Sequence, residues 1–309
     1  MEISPPENQS RFPRIERMMQ LGVHIWNDRP DLQKAFSGPF SIEYWFWLMW
    51  SGAEYYKEVK QALYPLPERY LLDRVVGEFV PEKNYHTSGI VDARRMIQCL
   101  IKNGFQFVNN AAVLDFGCGC SRLLRFLALY ADRCRLFGAD VDPDAIHWCC
   151  KHIDFANFHV LNESPPTTFE DSFFDAIYAY SVFSHFSEEL HLRWLEELHR
   201  ISKPGALLVL TVQGKSMVEA SEASRPEISI QQQKMELIER GFAFVPYQEL
   251  TFQNAKNQDY YSKWNLQNYG DAFILKPYIE KIWRRYFDLL DHLESPDGSQ
   301  DYAVLRKRQ

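Results

Sequence analysis

The sequence lacks the marks of several large protein classes. It has no surplus of positive charge: 34 Lys and Arg stand against 41 Asp and Glu, a net charge of −7. Such a chain has no general affinity for a polyanion, so nucleic acid is not an expected partner. The one basic run, Arg306-Lys307-Arg308, reads as a solvated strand end. Long apolar runs are missing as well. Tyr44–Trp50 falls far short of the roughly 20 residues that span a bilayer, so no membrane partner is expected. Met1–Gln9 is polar and proline-containing, which predicts no secretory leader and a cytoplasmic location. The six cysteines, Cys99, Cys118, Cys120, Cys134, Cys149 and Cys150, form no Cys-x-x-Cys pair and no Cys/His cluster at zinc spacing. Buried reduced thiols and no metal site are the expectation. Aromatic side chains, by contrast, are abundant, at 15% of the 309 residues.

The chain is organised around Val113-Leu114-Asp115-Phe116-Gly117-Cys118-Gly119-Cys120-Ser121-Arg122. Ala111–Phe116 reads as a short buried strand. Gly117 and Gly119 then permit a tight turn, since glycine alone visits left-handed backbone angles cheaply. Ser121 is expected as an N-cap, with Leu123, Leu124, Leu127 and Ala128 continuing at helical spacing. Strand, glycine turn and helix open a nucleotide-binding α/β fold. A dinucleotide site calls for a third glycine, in the order G-x-G-x-x-G, with a pyrophosphate on the helix N-terminus. Here Arg122 stands in that place. Asp115 puts a carboxylate at the strand end, which repels a pyrophosphate and favours a cationic ligand. The next strand closes on Gly138-Ala139-Asp140-Val141-Asp142, where two acceptor oxygens suit a ribose diol.

This pairing resembles the class I S-adenosylmethionine (SAM)-dependent methyltransferases, whose first motif is D-x-G-x-G and whose second strand ends in an acid. SAM fits the charge argument, carrying a sulfonium and an ammonium and no phosphate. The resemblance implies an α/β, Rossmann-like, seven-stranded sheet with strand 7 antiparallel between strands 5 and 6. It implies SAM as cofactor, S-adenosyl-L-homocysteine (SAH) as product, and cofactor contacts at Asp115, Gly117, Cys118, Gly119, Asp140, Val141 and Asp142. Phe173–Tyr180 resembles the family's fourth strand, and Tyr180, Ser181 and His185 follow at its carboxyl end, where such folds bind ligands. Tyr85-His86-Thr87-Ser88-Gly89 resembles a segment that closes over SAM in relatives; its Tyr85, Ser88 and Gly89 are carried over as cofactor contacts, with a plain helix N-terminus before Ile90–Lys102 as the other reading. Asn162 and Glu163, after a third strand at Asn157–Leu161, lie where the family's chain passes the adenine, and a simple turn suits them equally.

Pro143 opens a helix to Ile153, Glu188–Ile201 forms another with acids early and His199/Arg200 late, and Ala206–Val212 reads as the fifth strand. Lys276–Arg285 is the last helix, and Phe287–Leu293 pairs with Asp301–Arg306 across Ser295-Pro296-Asp297-Gly298. The resemblance thus covers residues 85–309, a SAM-binding domain. Residues 1–84 read as a helical N-terminal lid, and 214–268, longer than an ordinary connection, as a cap insertion. In the first, Tyr44–Trp50 is expected to run on as helix to Pro65, as a lid lining a substrate pocket, a helix docked on the core, or a dimer interface. In the second, Ser229–Arg240 is an expected helix and Phe252–Tyr269 is rich in Tyr and Asn. Tyr247, Tyr260, Tyr261, Trp264 and Tyr269 are candidate substrate contacts.

Methyl transfer to a hydroxyl benefits from a base, and His185, with a pKa near neutrality and a place beside the expected methyl, is the candidate. His24, His86 and Tyr180 are rivals, and a histidine that packs on the cofactor is the competing reading of His185. No Asp/Asn cluster for Mg²⁺ and no Asn-Pro-Pro-Tyr signature occurs. The expected function is therefore methyl transfer to the oxygen of a small secondary metabolite, free or tethered to a carrier protein. The layout is similar to that of the cyanobacterial O-methyltransferases that decorate peptide–polyketide toxins. An N-methyltransferase and a non-catalytic SAM-binding scaffold are the alternatives. Oligomeric state is not legible.

Overall fold

The structure, a computed structural model, describes residues 10–78, 80–108, 110–224, 230–247, 255–295 and 299–309; for 220–224 and 230–233 the backbone alone is described. The polar start Met1–Gln9, the first residues of the Phe252–Tyr269 stretch and the Pro296-Asp297-Gly298 turn lie outside them.

The chain begins with short helices: α1 (Pro13–Asn27), α2 (Pro30–Ala35), α3 (Ile42–Trp47), α4 (Ala53–Tyr55), α5 (Lys57–Ala62) and α6 (Arg69–Val76). The long α7 (Glu82–Lys102) leads into β1 (Ala111–Phe116), β2 (Cys134–Asp140), α8 (Pro143–His152), β3 (Ala156–Val160), β4 (Phe174–Ala179), α9 (Glu188–Ile201) and β5 (Ser202–Val212). Then come α10 (Lys215–Ser224), α11 (Ile230–Arg240), β6 (Phe242–Pro246), α12 (Ala255–Tyr261), β7 (Gly270–Ile274), α13 (Lys276–Ile282), β8 (Phe287–Leu293) and β9 (Asp301–Lys307).

The main sheet has seven strands in the order β3-β2-β1-β4-β5-β9-β8. β3 through β5 pair in parallel, and β9 is antiparallel to both β5 and β8. This is the expected α/β sheet with its antiparallel last strand. Successive side chains point to opposite faces. Val113, Tyr178, Val209 and Val304 enter one core with α7 and the N-terminal helices, while Leu114, Ile177, Leu208 and Leu305 enter a second core with α9 and α13. Both faces are covered, so the strands read as near-continuous apolar runs.

Four local expectations are corrected. No α-helix follows the glycine turn: Leu124–Tyr130 is a 3-10 helix with every side chain buried, so no solvent face sets an amphipathic period. Ser121 is not its N-cap but a left-handed residue at φ 61 whose carbonyl accepts from Arg125 Nε. α7 starts at Glu82 behind Pro81, so Tyr85–Gly89 is helix rather than an opening loop. The aromatic segment does not run as one helix to Pro65. It loosens into a π-helical turn at Leu48–Gly52 and breaks at Tyr56, which is extended at φ −119.

Tyr44–Trp50 docks on the core. Tyr44, Trp45 and Phe46 are buried in the same cluster as the 3-10 helix, and the Trp45 indole donates to Phe126 O at 3.3 Å. The 214–268 region holds more than helix. Its strand β6 pairs with β7, which follows the region, in a separate two-stranded antiparallel ribbon, Phe242 opposite Ile274 through Pro246 opposite Gly270.

Candidate functional site

The carboxyl ends of β1, β2 and β4 meet at the glycine turn. Gly117 (φ 76) and Gly119 (φ 50) both occupy the left-handed region. A Cβ on Gly117 would lie 2.2 Å from Val182, so this position takes only glycine. Gly117 and Cys118 both donate their N–H to Ala139 O, at 2.7 and 3.1 Å, which laces the turn to β2. The Cys118 thiol is buried, and burial pushes it well above its ordinary value.

Asp140 closes β2. Its Oδ2 accepts Gly119 N–H at 2.7 Å and its Oδ1 accepts Asp142 N–H at 2.9 Å. One backbone donor per oxygen leaves a lone pair on each for a pair of hydroxyls. Burial raises Asp140 to about 6, against the pull of those amides. Asp115, at the end of β1, is buried, and its Oδ2 has no hydrogen-bond partner. Burial, with Asp140 adding repulsion, lifts it to about 7; Tyr178 and Arg122 offset part of this. A buried acid with an unsatisfied oxygen, Asp115, beside the half-buried Asp140 makes a place for a cation that carries hydroxyls.

Asp142 is already engaged. It caps α8 by accepting from Asp144 and Ala145 N–H, and Arg74 Nη1 grips both its oxygens at 3.0 and 2.8 Å. Val141 is half-buried against the second core. Arg74 comes from α6 and escaped the sequence reading. Its Nε donates to Asn257 Oδ1 on α12 at 2.9 Å, and its guanidinium lies 4.0 Å from the Tyr260 ring centroid. The N-terminal segment and the insertion therefore meet over the acid end of β2. Val75, next along α6, stands 2.9 Å from where a Cβ of Gly119 would lie.

Tyr85, Ser88 and Gly89 support the turn from the α7 side. Tyr85 is fully buried and its hydroxyl donates to Cys120 O at 2.9 Å. Ser88 donates to Asn84 O at 2.6 Å and receives Arg122 Nη1 at 3.1 Å. A Cβ on Gly89 would come 2.8 Å from Arg122 O, so α7 docks there at backbone contact. Arg122, where a dinucleotide site has glycine, forms a buried ion pair with Asp92 at 2.7 Å and lies 4.7 Å from the Tyr180 ring centroid. Burial, chiefly, pushes the Tyr180 phenol above its ordinary value. Asn162 is exposed, and half-buried Glu163 gives its carbonyl to the Tyr269 hydroxyl at 3.4 Å.

Beyond β4 the chain turns at Ser181, left-handed at φ 60, into a short 3-10 turn, Phe183–His185. His185 Nδ1 lies 3.1 Å from Gly270 O and 2.9 Å from the Tyr247 hydroxyl, while Nε2 lies 3.4 Å from Ser181 Oγ. Burial lowers its pKa, opposed by Asp271 and the Gly270 carbonyl, so the ring is neutral at pH 7. The rivals sit elsewhere. His86 Nε2 is 2.9 Å from Met49 O, and His24 is a surface residue beside Asp28. Of the cap aromatics, Tyr260, Tyr261, Trp264 and Tyr269 pack in one cluster with centroids 4.7–5.1 Å apart, and Tyr247 joins His185 instead. Long-range pairing hid that contact: a tyrosine and a histidine 62 positions apart give no local signal.

Among the described residues, no group of three or more side chains that could hold a metal ion occurs, and no helix is long and apolar enough to cross a membrane. Residues 113–205, which include the glycine turn, both acids and His185, match the family model described as Methyltransferase domain. Over that stretch the chain is similar to a methyltransferase domain. Its fold is similar to that of the PH0226 protein from Pyrococcus horikoshii OT3, at 17% identity over 79% of this chain and 100% of that one, with a TM-score of 0.52. It is also similar to a SAM-dependent methyltransferase from Methanosarcina mazei (19% identity, 68% and 97% covered, TM-score 0.46). A third similar structure is the 1,6-didemethyltoxoflavin-N1-methyltransferase of Burkholderia thailandensis (14% identity, 79% and 92% covered, TM-score 0.44). SAM is the cofactor of such a methyltransferase domain, and the unpartnered Asp115 Oδ2 beside Asp140 fits its cationic, hydroxyl-bearing character.

Proposed function

We propose that the protein methylates a hydroxyl oxygen of a small natural-product acceptor, with His185 as the general base. The observation that carries this reading is the setting of His185. It follows β4 at the ligand-binding end of the sheet, its Nδ1 faces a carbonyl and its Nε2 faces the Ser181 hydroxyl. A carbonyl only accepts, so Nδ1 holds the ring proton and Nε2 is the basic atom. Burial keeps that imidazole neutral at physiological pH, the state a base needs.

Asp140 is the residue to hold the ribose hydroxyls. Asp115 lies toward the cationic end, and Tyr85, Ser88 and Gly89 act through the turn they brace. Asp142, saturated by Arg74 and by its capping bonds, serves the site by fixing α8 and α6. Bound SAM supplies a methyl group on a sulfonium, which is already a good leaving group. The protein's own contribution is alignment, exclusion of water and removal of the acceptor's proton. The aromatic cluster Tyr260–Tyr269 supports a bulky, partly apolar acceptor, free or carrier-tethered.

The test is incubation with methyl-labelled SAM and paired acceptors that differ only in having the hydroxyl or the amine blocked. Label retained with the free hydroxyl and lost when it is blocked supports the oxygen. Label that follows the amine instead assigns an N-methyltransferase, and no label with SAM bound assigns a binding protein.

A further inference from the structure

Four side chains, Asp271, Tyr247, His185 and Ser181, form one polar line from the β6–β7 ribbon to the end of β4. We propose that Tyr247 and Asp271 are positioning residues that keep the proton of His185 on Nδ1, and that Ser181 passes the acceptor's proton to the free Nε2. This rests on the reading of His185 as the base.

The directions of donation follow from which atoms only accept. Gly270 O, 3.1 Å from Nδ1, has no proton to give, so Nδ1 donates. The Tyr247 oxygen lies 2.9 Å from the same nitrogen and 3.3 Å from Asp271 Oδ1. With Nδ1 already protonated, the Tyr247 O–H is directed to the carboxylate. On the other side, Ser181 N–H donates to Thr211 Oγ1 at 2.8 Å, and the Thr211 hydroxyl donates to Gln300 Oε1 at 2.6 Å. That fixes the Gln300 amide with Nε2 toward Ser181 Oγ, at 2.8 Å. Ser181 Oγ thus receives a donor from Gln300, which also reaches Ser184 Oγ at 3.4 Å. The Ser181 hydrogen has two acceptors in range, His185 Nε2 at 3.4 Å and Ser184 Oγ at 3.5 Å, of which the relay uses the first. The left-handed backbone of Ser181, uncommon for a residue with a side chain, is held by its Thr211 contact. Among the described residues, Asp271 is the charged group that acts on the ring, and Tyr247, Ser181 and the Gly270 carbonyl are polar neighbours within hydrogen-bond distance.

The step balances without an added reactant. The acceptor's O–H bond breaks and that proton joins Ser181 Oγ. The Ser181 O–H bond breaks in turn and its proton joins His185 Nε2. The acceptor oxygen uses the freed electron pair for the new bond to methyl, and the pair of the broken sulfur–methyl bond stays on sulfur.

The test is ¹⁵N NMR of the full chain labelled at histidine, with SAH present and without it. The nine histidines are separated by the signal that vanishes in His185→Asn, and the other eight report whether each variant is folded. The expected wild-type spectrum has a protonated Nδ1 and an unprotonated Nε2 for His185. Tyr247→Phe keeps the ring but removes the link to Asp271. It and Asp271→Asn should each lower the His185 titration midpoint, by about 1 pH unit. Ser181→Ala should shift the Nε2 resonance and leave the tautomer in place. A proton on Nε2 in the wild type overturns the proposal, and this reading needs no variant to fold. Midpoints unchanged in both Tyr247→Phe and Asp271→Asn remove the positioning role, and an unmoved Nε2 resonance in Ser181→Ala removes the relay. Failure of SAH to bind strikes the cofactor assignment instead, leaving the tautomer result standing.

Discussion

Arg74 on α6 closes on Asp142 at the end of β2 with one nitrogen 3.0 and 2.8 Å from the two carboxylate oxygens. Both side chains are buried, at 6% exposure each. The same guanidinium holds Asn257 and lies against Tyr260, so one residue joins the N-terminal helices, the core sheet and the insertion. Removing one member of a buried pair strands the other charge, which costs far more than the pair contributes. Arg74→Ala should therefore destabilise by about 3 kcal/mol, with a fall in Tm of roughly 5–10 °C. It should also weaken SAH binding, because α6 and α12 lose their common anchor beside Asp140. Calorimetry and thermal melts on one sample decide it. An unchanged Tm would mean that the pair is no more than a surface contact.

The two acids carry a pH signature. Asp115 sits at about 7 and Asp140 at about 6, both above the ordinary carboxylate range because of burial. An acid raised in the folded state binds more protons there than in the unfolded chain. Stability is therefore present at low pH and falls as pH rises from about 4 to 7. A cation beside Asp115 favours the ionised form and releases its proton. SAM binding should thus tighten across pH 5.5–7.5, by up to about tenfold per pH unit for one proton released. Asp115→Asn should bind SAM more weakly at pH 8 and lose most of the pH slope. Isothermal titration in two buffers of different ionisation enthalpy counts the protons, and equal counts for wild type and variant would refute the assignment of Asp115.

The aromatic segment permits a sharp distinction between core and lid. Trp45 is 5% exposed, packs in the core shared by α7 and the 3-10 helix, and donates to Phe126 O. Truncating a buried tryptophan costs about 3–5 kcal/mol. Trp45→Ala should lower Tm strongly while leaving SAH affinity near wild type at temperatures where the protein is folded. Loss of methyl transfer with an unchanged Tm would instead place Trp45 in an acceptor pocket.

What was legible in the sequence is what local pattern encodes. The strand–turn–helix alternation predicted the sheet, and acids at two strand ends predicted the cluster around Asp115 and Asp140. The 3-10 helix after the glycine turn was not legible, since Leu124–Tyr130 carries good helix formers and no local residue marks the tighter winding. Nor was the break at Tyr56, which comes four residues after the segment's one glycine, Gly52, and has no proline beside it. The site's other half depends on distant partners. Arg74 and Asp142 stand 68 positions apart, and His185 and Gly270 stand 85 apart. Each looks like an ordinary surface or cap residue until the β6–β7 ribbon and α6 are folded against the sheet.

His185→Asn isolates the base. Asparagine keeps a hydrogen-bonding side chain of similar reach but takes up no proton near neutral pH. A neutral aliphatic hydroxyl is a weak nucleophile, so the loss should slow methyl transfer by roughly 10²–10⁴-fold. SAM affinity should stay near wild type, since the acids and the glycine turn are untouched. The pH–rate profile carries the decisive sign. Protonated imidazole cannot accept a proton, so the wild-type rate should fall as pH drops through the His185 pKa. Because burial lowers that pKa from its ordinary value of 6.5, the acid limb should have its midpoint below pH 6.5. In His185→Asn that limb should disappear, leaving a slow, flat rate over the same range. Misplacement of the cofactor would also slow the reaction, but it would weaken SAM binding and leave the limb where it was. Full activity in the variant, or an unchanged acid limb, would transfer the base role to a group of the acceptor itself.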